Sequence, residues 1–340
     1  MVCILTALVF ASARSSKQTP VMRSPINGPS ALALYQDRFL FVVENLNRVR
    51  RIDLKKGTLI TVAGNGKDCC YNEGAPATRV SLGLVDSIAV DSQGNLFIPD
   101  TDAVRKVDAR SGLIFTVARN ETGGLALDSR GNLFIADAAK GKIFKVEVRT
   151  GAVSTIAGTG KADFSGDGGL AVNATFRGAR SIAFDSTDNL FVADVENCRI
   201  RRIDHATGVI ETIAQTGGTE QNCPPQPGVI PWQLSPDNPV IDIKENVYFI
   251  EPSVNLVVEA GSSPDRQVIV AGTGKRGFSG DGGPATSAEL GNPSGLAIDS
   301  EGNLFISEFV NNRIRRIDGT TRLITTVAGN GLPHRMDVEM

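Results

Sequence analysis

An acidic side chain ends the same short apolar run in each of six similar stretches of the chain. The six acids are Glu44, Asp100, Asp137, Asp194, Glu251 and Glu308. Carboxylates gathered on one face could bind a cation or form an acid/base pair, which makes them candidate binding residues. A residue that recurs in every repeat is explained more simply by a structural need, here an acceptor for loop N–H groups. The structural interpretation is therefore favoured.

Two connecting segments share a Phe-Ser-Gly-Asp-Gly-Gly sequence, at residues 164–169 and 278–283. A phosphate loop would need a following helix start, and a calcium loop would need more oxygen ligands than one aspartate supplies. The simpler interpretation is that the phenylalanine packs against its repeat while the glycines allow a tight reversal. The loop edges could still shape a groove, so four residues are candidates for binding: Phe164, Asp167, Phe278 and Asp281.

The chain has two histidines, His205 in a predicted turn and His334 in the tail. A zinc site built from histidines is hard to assemble from these positions. No Ser/His/Asp or Cys/His arrangement is visible in the sequence either. The sequence therefore predicts no catalytic residue, no metal site and no cofactor.

The six stretches form a repeat, which the aromatic residue of each apolar run marks. These aromatics are Phe41, Phe97, Phe134, Phe191, Tyr248 and Phe305, at spacings of 56, 37, 57, 57 and 57 residues. Each copy holds four apolar runs of four to six residues separated by turn-forming residues, and such runs are typical of antiparallel strands. A repeated four-stranded unit without polar end copies favours a radial arrangement over a linear one. We expect an all-β, six-bladed β-propeller with four antiparallel strands per blade.

The sixth copy also resembles a known family. Its segments at 293–299, 302–306, 311–314 and 324–329 are similar to NHL repeats, which form six-bladed propellers. The resemblance covers residues 26–331 and is weakest in the fifth copy. Some propellers of this kind are zinc lyases or calcium-dependent hydrolases. The innermost strands here offer mainly small side chains, at Ser87, Ala89, Gly124, Ala126, Ser181, Ala183, Gly295 and Ala297.

Arginine clusters at 48–51, 199–202 and 313–316 suggest a polyanionic partner, and some NHL propellers bind RNA. These arginines lie in the predicted third strands and alternate between the two faces of each sheet. The chain has 35 basic and 37 acidic residues, with a net charge of −2. A solvated or blade-bridging role is therefore the stronger interpretation, and nucleic acid is disfavoured as a partner.

The N-terminal residues 1–13 form a short apolar run that ends in Ala-Ser-Ala, which has the form of a signal-peptidase site. We expect a signal peptide at 1–13, an N-terminal segment at 14–25, the propeller at 26–331 and a C-terminal tail at 332–340. No second apolar stretch approaches the roughly 20 residues of a membrane span. The protein is thus expected to be secreted or periplasmic.

Long inserts separate several blades, at 65–85, 159–179, 215–239 and 273–293. In a four-stranded meander, these connections emerge on the same face as the loops between second and third strands. That insert-bearing face is the predicted functional surface. Cys198 and Cys223 lie on the same side of this face, so we predict a disulfide between them. For the adjacent Cys69 and Cys70, both a strained disulfide and a thiol metal site stay open.

The sequence as a whole predicts an exported, monomeric binding module that uses its insert-bearing face, without enzymatic activity. Its ligand is a protein, a glycan or a small molecule. The alternative is a metal-dependent, calcium-type propeller hydrolase or lyase, because loops can bring ligands to a propeller tunnel. RNA binding is a third and lower-ranked alternative.

Overall fold

The computed structural model describes residues 19–20, 24–45, 47–67, 73–216, 237–260, 264 and 266–332. Cys69, Cys70, Cys223 and His334 lie outside these residues, as do the predicted signal peptide and nearly all of the tail. Within the described part, no helix is long and apolar enough to cross a membrane.

The described strands form six antiparallel sheets, which confirms the predicted all-β propeller. The first sheet adds a short edge strand, β1 (Thr19–Pro20), to the four strands of blade one, which are β2 (Pro29–Tyr35), β3 (Phe39–Glu44), β4 (Arg48–Asp53) and β5 (Thr58–Ala63). Blade two contains β6 (Ala89–Val90), β7 (Leu96–Asp100), β8 (Ala103–Val107) and β9 (Ile114–Arg119). Blade three contains β10 (Gly124–Leu127), β11 (Leu133–Asp137), β12 (Lys142–Glu147) and β13 (Ala152–Ala157).

The remaining three blades repeat the same meander order. Blade four contains β14 (Ala179–Phe184), β15 (Leu190–Asp194), β16 (Arg199–Ile203) and β17 (Ile210–Gln215). Blade five contains β18 (Asp237–Ile241), β19 (Val247–Glu251), β20 (Leu256–Ala260) and β21 (Gln267–Ala271). Blade six contains β22 (Pro293–Ile298), β23 (Leu304–Glu308), β24 (Arg313–Ile317) and β25 (Ile324–Ala328).

The hydrophobic core lies between neighbouring blades. Second-strand residues such as Phe97, Phe249 and Phe305 are fully buried, because each packs against the sheet of a neighbouring blade. One cluster joins blade six to blade one and closes the ring, with Phe305 packed in the same core as Leu40. At the axis, Ser294 Oγ of blade six donates to Pro29 O of blade one at 2.9 Å. The same packing of sheet on sheet recurs around the ring and fixes the relative positions of the blades.

Turn aspartates set the connection between first and second strands. In blade four, Asp185 Oδ1 accepts the Thr187 and Asn189 N–H groups, each at 2.9 Å. The Asn189 side chain donates to Asp185 Oδ2 and accepts the His205 N–H at 2.9 Å, which ties two turns together. The same hydrogen bond from the asparagine N–H to the turn aspartate recurs at Asp91, Asp128, Asp242 and Asp299.

Three inserts run along the outer edge of the blade that follows them. Each contains a 3-10 turn, at Ala77–Arg79, Ala171–Asn173 and Ala285–Ser287. Two further 3-10 turns follow the second strands of blades four and five, at Val195–Asn197 and Pro252–Val254. The inserts pair with the start of the outer strand, through the bridges Pro76↔Leu113, Leu170↔Val209 and Pro284↔Leu323. Each insert is therefore fixed to its blade by backbone pairing with the outer strand.

The N-terminal strand β1 occupies the same place on blade one. Pro20 pairs with Thr58, the position that corresponds to Leu113 in blade two. Ile26 follows six residues after Pro20, just as Leu82 follows Pro76, and both side chains are buried. The strand lies ahead of the predicted start of the propeller at residue 26. In the described residues 19–20 and 24–26, the pairing and the buried isoleucine thus match those of the inserts, a similarity that the sequence analysis missed.

Candidate functional site

The six acids that end the second strands are all buried. Asp194 accepts the Arg177 N–H at 2.8 Å and Asn197 Nδ2 at 2.9 Å. Asp100 accepts the Gly83 N–H at 2.6 Å, so in both blades the carboxylate binds the backbone of the preceding insert. Asp137 and Glu308 likewise accept loop N–H groups, from Lys140 and Gly291. These contacts support the structural interpretation, and a binding role for the six acids stays a prediction.

The two Phe-Ser-Gly-Asp-Gly-Gly segments are anchored to their blades by arginines. The Arg199 guanidinium carbon lies 3.8 Å from the Phe164 ring centroid, a cation–π distance. In blade six, the Arg313 guanidinium lies 3.9 Å from the Phe278 ring centroid. The phenylalanines therefore pack on their blades. Ligand binding by these loops stays a prediction.

The aspartates of these segments also contact their own blades. Asp167 Oδ2 accepts the Thr212 N–H at 3.1 Å and the Thr212 hydroxyl at 2.6 Å. Asp281 Oδ2 accepts the Thr326 hydroxyl at 2.6 Å. A third copy of the contact lies in blade two, where Glu73 accepts the Thr116 N–H at 2.8 Å. The sequence analysis missed this copy because glutamate replaces aspartate and no phenylalanine precedes it.

The central arginines of two clusters are buried. Arg201 and Arg315 are each 0% exposed. Arg201 Nη2 lies 2.7 Å from Asp167 Oδ1, and Arg315 Nη2 lies 2.7 Å from Asp281 Oδ1. A solvated role is therefore wrong for these two residues, and each joins an insert to its blade. This internal pairing removes them from any surface that a nucleic acid could contact.

The insert-bearing face has a depression on the propeller axis, with a volume of about 320 Å³. On this face of blade four, the insert meets the loop after the second strand, where the Glu196 N–H donates to Arg177 O at 3.0 Å. All six blades contribute residues in or just before their first strands to the lining, namely Ser30, Ser87, Gly124, Ser181, Asn238 and Ser294. Glu44 is the one second-strand acid in the lining. This depression is the candidate functional site.

Besides Glu44 of blade one, charged side chains of three further blades line the depression. They are Asp86 of blade two, Arg180 of blade four and Asp237 of blade five. Arg180 Nε lies 3.5 Å from Asp237 Oδ2, and the Arg180 side chain is 62% exposed. Asp86 is exposed, and no hydrogen bond or ion pair joins it to another described residue. Asp86 and Arg180 thus present one anion and one partly accessible cation to the solvent in the depression.

Asp237 is held rigidly beneath Arg180. Its Oδ1 accepts the Ser181 hydroxyl, and Ser181 Oγ accepts the Asn238 N–H at 2.8 Å. Burial raises the pKa of the Asp237 carboxyl, Arg180 and Ser181 oppose the rise, and the negative charge of Asp86 adds to it. The result is a preorganised polar wall between blades four and five.

The lining of the depression also includes apolar groups. The ring of Phe309 lines the depression and is half-buried, and Leu84 is 78% exposed. Asn45 and Asn292 add side-chain amide groups to the lining. A ligand in this depression would therefore meet charged, amide and hydroxyl groups together with an aromatic ring.

The sequence analysis named Ser87, Gly124 and Ser181, which the structure brings together, but missed the charged residues. The three charged residues Asp86, Arg180 and Asp237 occupy one repeat position, which lies five residues before the aspartate that begins the turn. At this position the six blades carry Ser30, Asp86, Gly123, Arg180, Asp237 and Ser294. A charged residue occurs at three of these six equivalent positions, and this irregularity was the sequence signal that could have identified the site. Asp237 was also hidden, because it had been assigned to the insert at 215–239.

Three further sequence predictions concern the disulfide, the histidines and a metal site. Cys198 is disulfide-bonded, but Cys223 lies outside the described residues, so their pairing stays a prediction. His205 is exposed in the turn that contacts Asn189, on the face opposite the inserts. Among the described residues, no group of three or more His, Cys, Asp or Glu side chains is arranged to hold a metal ion.

Comparison with known proteins gives no family assignment from sequence. No protein-family model matches the chain. No curated protein matches it either.

Solved structures, by contrast, are similar in fold. An auxiliary nutrient binding protein from Bacteroides thetaiotaomicron is 17% identical, with a TM-score of 0.63 over 89% of this chain and 70% of that one. A streptogramin B lyase is 13% identical, with a TM-score of 0.55 over 91% of this chain and 85% of that one. A nidogen/laminin complex matches at 14% identity and a TM-score of 0.56, over 82% and 88% of the two chains. At these identities, what the chain shares with these proteins is the propeller fold.

Proposed function

We propose that this chain is an exported, monomeric binding module of the NHL-repeat type, without enzymatic activity. It takes a small polyhydroxylated ligand, such as a monosaccharide or disaccharide, into the axial depression. The observation that carries the proposal is the set of charged residues Asp86, Arg180 and Asp237 around that depression. Carboxylate, guanidinium and amide groups are hydrogen-bonding partners for neighbouring hydroxyl groups.

The shape of the depression supports a ligand of this size. Its volume of about 320 Å³ is at the lower end of the usual range for small-molecule sites, roughly 300–1,000 Å³. The Phe309 ring supplies an apolar surface for the less polar face of a sugar ring. The similar fold of an auxiliary nutrient binding protein agrees with a binding role.

Thermal unfolding with a panel of monosaccharides and disaccharides tests the proposal. A ligand at 100 times its dissociation constant stabilises the folded state by roughly 2.7 kcal/mol, which raises the unfolding midpoint. We expect a rise with at least one sugar for the wild-type protein. The rise should be lost in the double variant Asp86→Asn, Arg180→Gln and retained in Arg110→Gln, which changes an exposed arginine on the opposite face. A panel without any shift, or a shift unchanged in the double variant, would refute the proposal.

A metal-dependent hydrolase or lyase is the second candidate. It is favoured by the two carboxylates of Asp86 and Asp237, whose charges interact across the depression. The fold is also similar to that of a streptogramin B lyase. A related structure, of virginiamycin B lyase from Staphylococcus aureus, is a catalytically inactive variant in which a histidine is replaced by alanine. His205 of this chain lies away from the axial depression.

Metal addition after chelation distinguishes the two candidates. The unfolding midpoint is measured after treatment with a chelator and again with calcium, zinc or magnesium restored. A rise that is specific to one metal and absent from Asp86→Asn supports the hydrolase or lyase candidate, and ester or lactone hydrolysis becomes the next assay. Equal midpoints in all conditions support the sugar-binding module.

A further inference from the structure

The outer edge of blade three differs from those of its neighbours. In blades one, two, four and six, a segment of this chain pairs with the start of the outer strand, opposite Thr58, Leu113, Val209 and Leu323. The equivalent residue in blade three is Ala152, at the start of β13. The connection before blade three is only residues 120–123 and supplies no such segment. Among the described residues, none pairs with the outer side of β13.

Each covered edge in blades two, four and six uses the same outward N–H group. Ile114 donates to Ala75 O at 3.0 Å, and Ile210 donates to Gly169 O at 2.9 Å. In blade six, the Ile324 N–H donates to Gly283 O at 3.0 Å. The equivalent N–H in blade three belongs to Val153. The edge of β13 therefore offers the same backbone donor, and no described strand lies beside it.

A threonine two residues further along receives the acid of each insert. Thr116, Thr212 and Thr326 bind the carboxylates of Glu73, Asp167 and Asp281. Thr116 and Thr212 do so with both the hydroxyl and the backbone N–H. Two small residues then separate the acid from the paired proline or leucine. The motif is acid, two small residues, then proline or leucine.

Blade three keeps the threonine at this position. Thr155 pairs with Phe144 after a register shift, as Thr212 pairs with Arg201 after the same shift in blade four. Thr155 is exposed. No described carboxylate contacts it. The hydroxyl and outward N–H of Thr155 thus form a pair of donors for a carboxylate that the described part of the chain does not supply.

The edge also lacks the features that normally protect an open strand. Charged side chains and prolines commonly block pairing with another chain. The sequence of β13, Ala-Val-Ser-Thr-Ile-Ala, contains neither. Val153 is 41% exposed.

We propose that the outer edge of blade three binds an extended segment of a partner protein with the same motif as the inserts. The segment adds as a strand to β13, with its backbone paired at Val153 and its acid bound to Thr155. Phe144 replaces the arginine that pairs with the insert acid in blades four and six, so the carboxylate here is held by neutral donors alone. The interaction is accordingly weaker than the internal contacts and reversible.

A labelled peptide tests this proposal directly. The probe has the sequence of residues 281–290, Asp-Gly-Gly-Pro-Ala-Thr-Ser-Ala-Glu-Leu, and its binding to the full chain is followed by fluorescence anisotropy. We expect saturable binding, weakened about tenfold when the first aspartate of the peptide is replaced by asparagine, since a charged acceptor is lost. No binding at roughly 1 mM protein, a concentration that would reveal even weak complexes, would overturn the proposal.

Variants of the protein locate the binding site. Thr155→Val and Val153→Pro should each weaken peptide binding, because they remove the hydroxyl and the outward N–H; proline is tolerated on edge strands. Ser154→Val, which lies between them with its side chain on the other side of the sheet, should leave binding unchanged. Equal binding by the wild type and Thr155→Val would refute the assignment to blade three. An unchanged unfolding midpoint verifies that each variant is folded.

Discussion

Arg201 lies between two carboxylates, with Nη2 at 2.7 Å from Asp167 Oδ1 and Nη1 at 3.5 Å from Asp194 Oδ2. Asp167 belongs to the insert and Asp194 ends the second strand, so one guanidinium connects two parts of the chain. Blade six repeats the arrangement with Arg315. The recurrence explains why acid, arginine and insert occur together in the sequence.

Replacing Arg201 with methionine should strongly destabilise the protein. The substitution removes the only described cation paired with the buried Asp194 carboxylate. Breaking a buried ion pair on one side typically costs 3–5 kcal/mol, about the loss that we expect in the free energy of unfolding. Urea denaturation measures it.

The matched control is Arg202→Met, one residue along the same strand. Arg202 is partly exposed, and its ion pairs with Asp204 and Glu211 lie at the surface. Its loss should change the free energy of unfolding by no more than about 1 kcal/mol. Similar losses in both variants would contradict the distinction between buried and surface arginines.

Asp194 should make stability depend on pH. Burial raises the pKa of its carboxyl from 3.8 to about 6, although hydrogen bonds from Asn197 and the Arg177 N–H oppose the rise. A carboxyl with a raised pKa holds its proton more tightly in the folded state. Its contribution to stability is therefore fully present below pH 3.8 and is lost as the pH rises through about 6.

The variant Asp194→Asn isolates this effect. We expect the stability advantage of the wild type over the variant to fall by roughly 3 kcal/mol between about pH 4 and pH 7, as measured in urea at each pH. Asp204→Asn should behave oppositely, because hydrogen bonds from Thr207 lower the pKa of Asp204. Parallel pH profiles for the wild type and Asp194→Asn would contradict the raised pKa.

The predicted Cys198–Cys223 disulfide can be mapped chemically. Cys198 is disulfide-bonded and buried, whereas the other four cysteines lie outside the described residues. Proteolysis without reductant should release one linked pair of peptides, containing Cys198 and Cys223, which separates on reduction. A linked pair that joins Cys198 to Cys69 or Cys70 in mass spectrometry would show that the prediction was wrong.

Periodicity predicted the blades well because each blade needs the same residues. The second-strand aromatic, such as Phe191, serves every sheet, and the turn aspartate, such as Asp185, serves every sheet except that of blade one, so both recur at a fixed spacing within the repeat. The charged residues of the depression do not recur. Arg180 and Asp237 occupy one repeat position with opposite charges, so their pairing depends on the ring bringing blades four and five together.

The insert-like pairing of residues 19–20 was not predicted from the sequence, for a different reason. The backbone pairing and one buried side chain match those of the inserts, but the sequence of this segment shares little beyond Pro20 with them. Hydrogen bonds between backbones place few demands on side chains. Ile26 alone carries the apolar signal, at the position of Leu82, Phe176 and Leu290.

Ile26→Ala should therefore loosen the closure of the ring. Ile26 is 0% exposed and packs with Phe305 and Ile314 of blade six and Leu40 of blade one. Removing a buried isoleucine side chain typically costs 2–5 kcal/mol, the decrease in the free energy of unfolding that we expect from urea denaturation. Ile243→Ala, which changes an exposed isoleucine of blade five, should cost no more than about 0.5 kcal/mol. If both variants lost equally little, residues 19–26 would be an appendage of blade one rather than part of the closure between blades six and one.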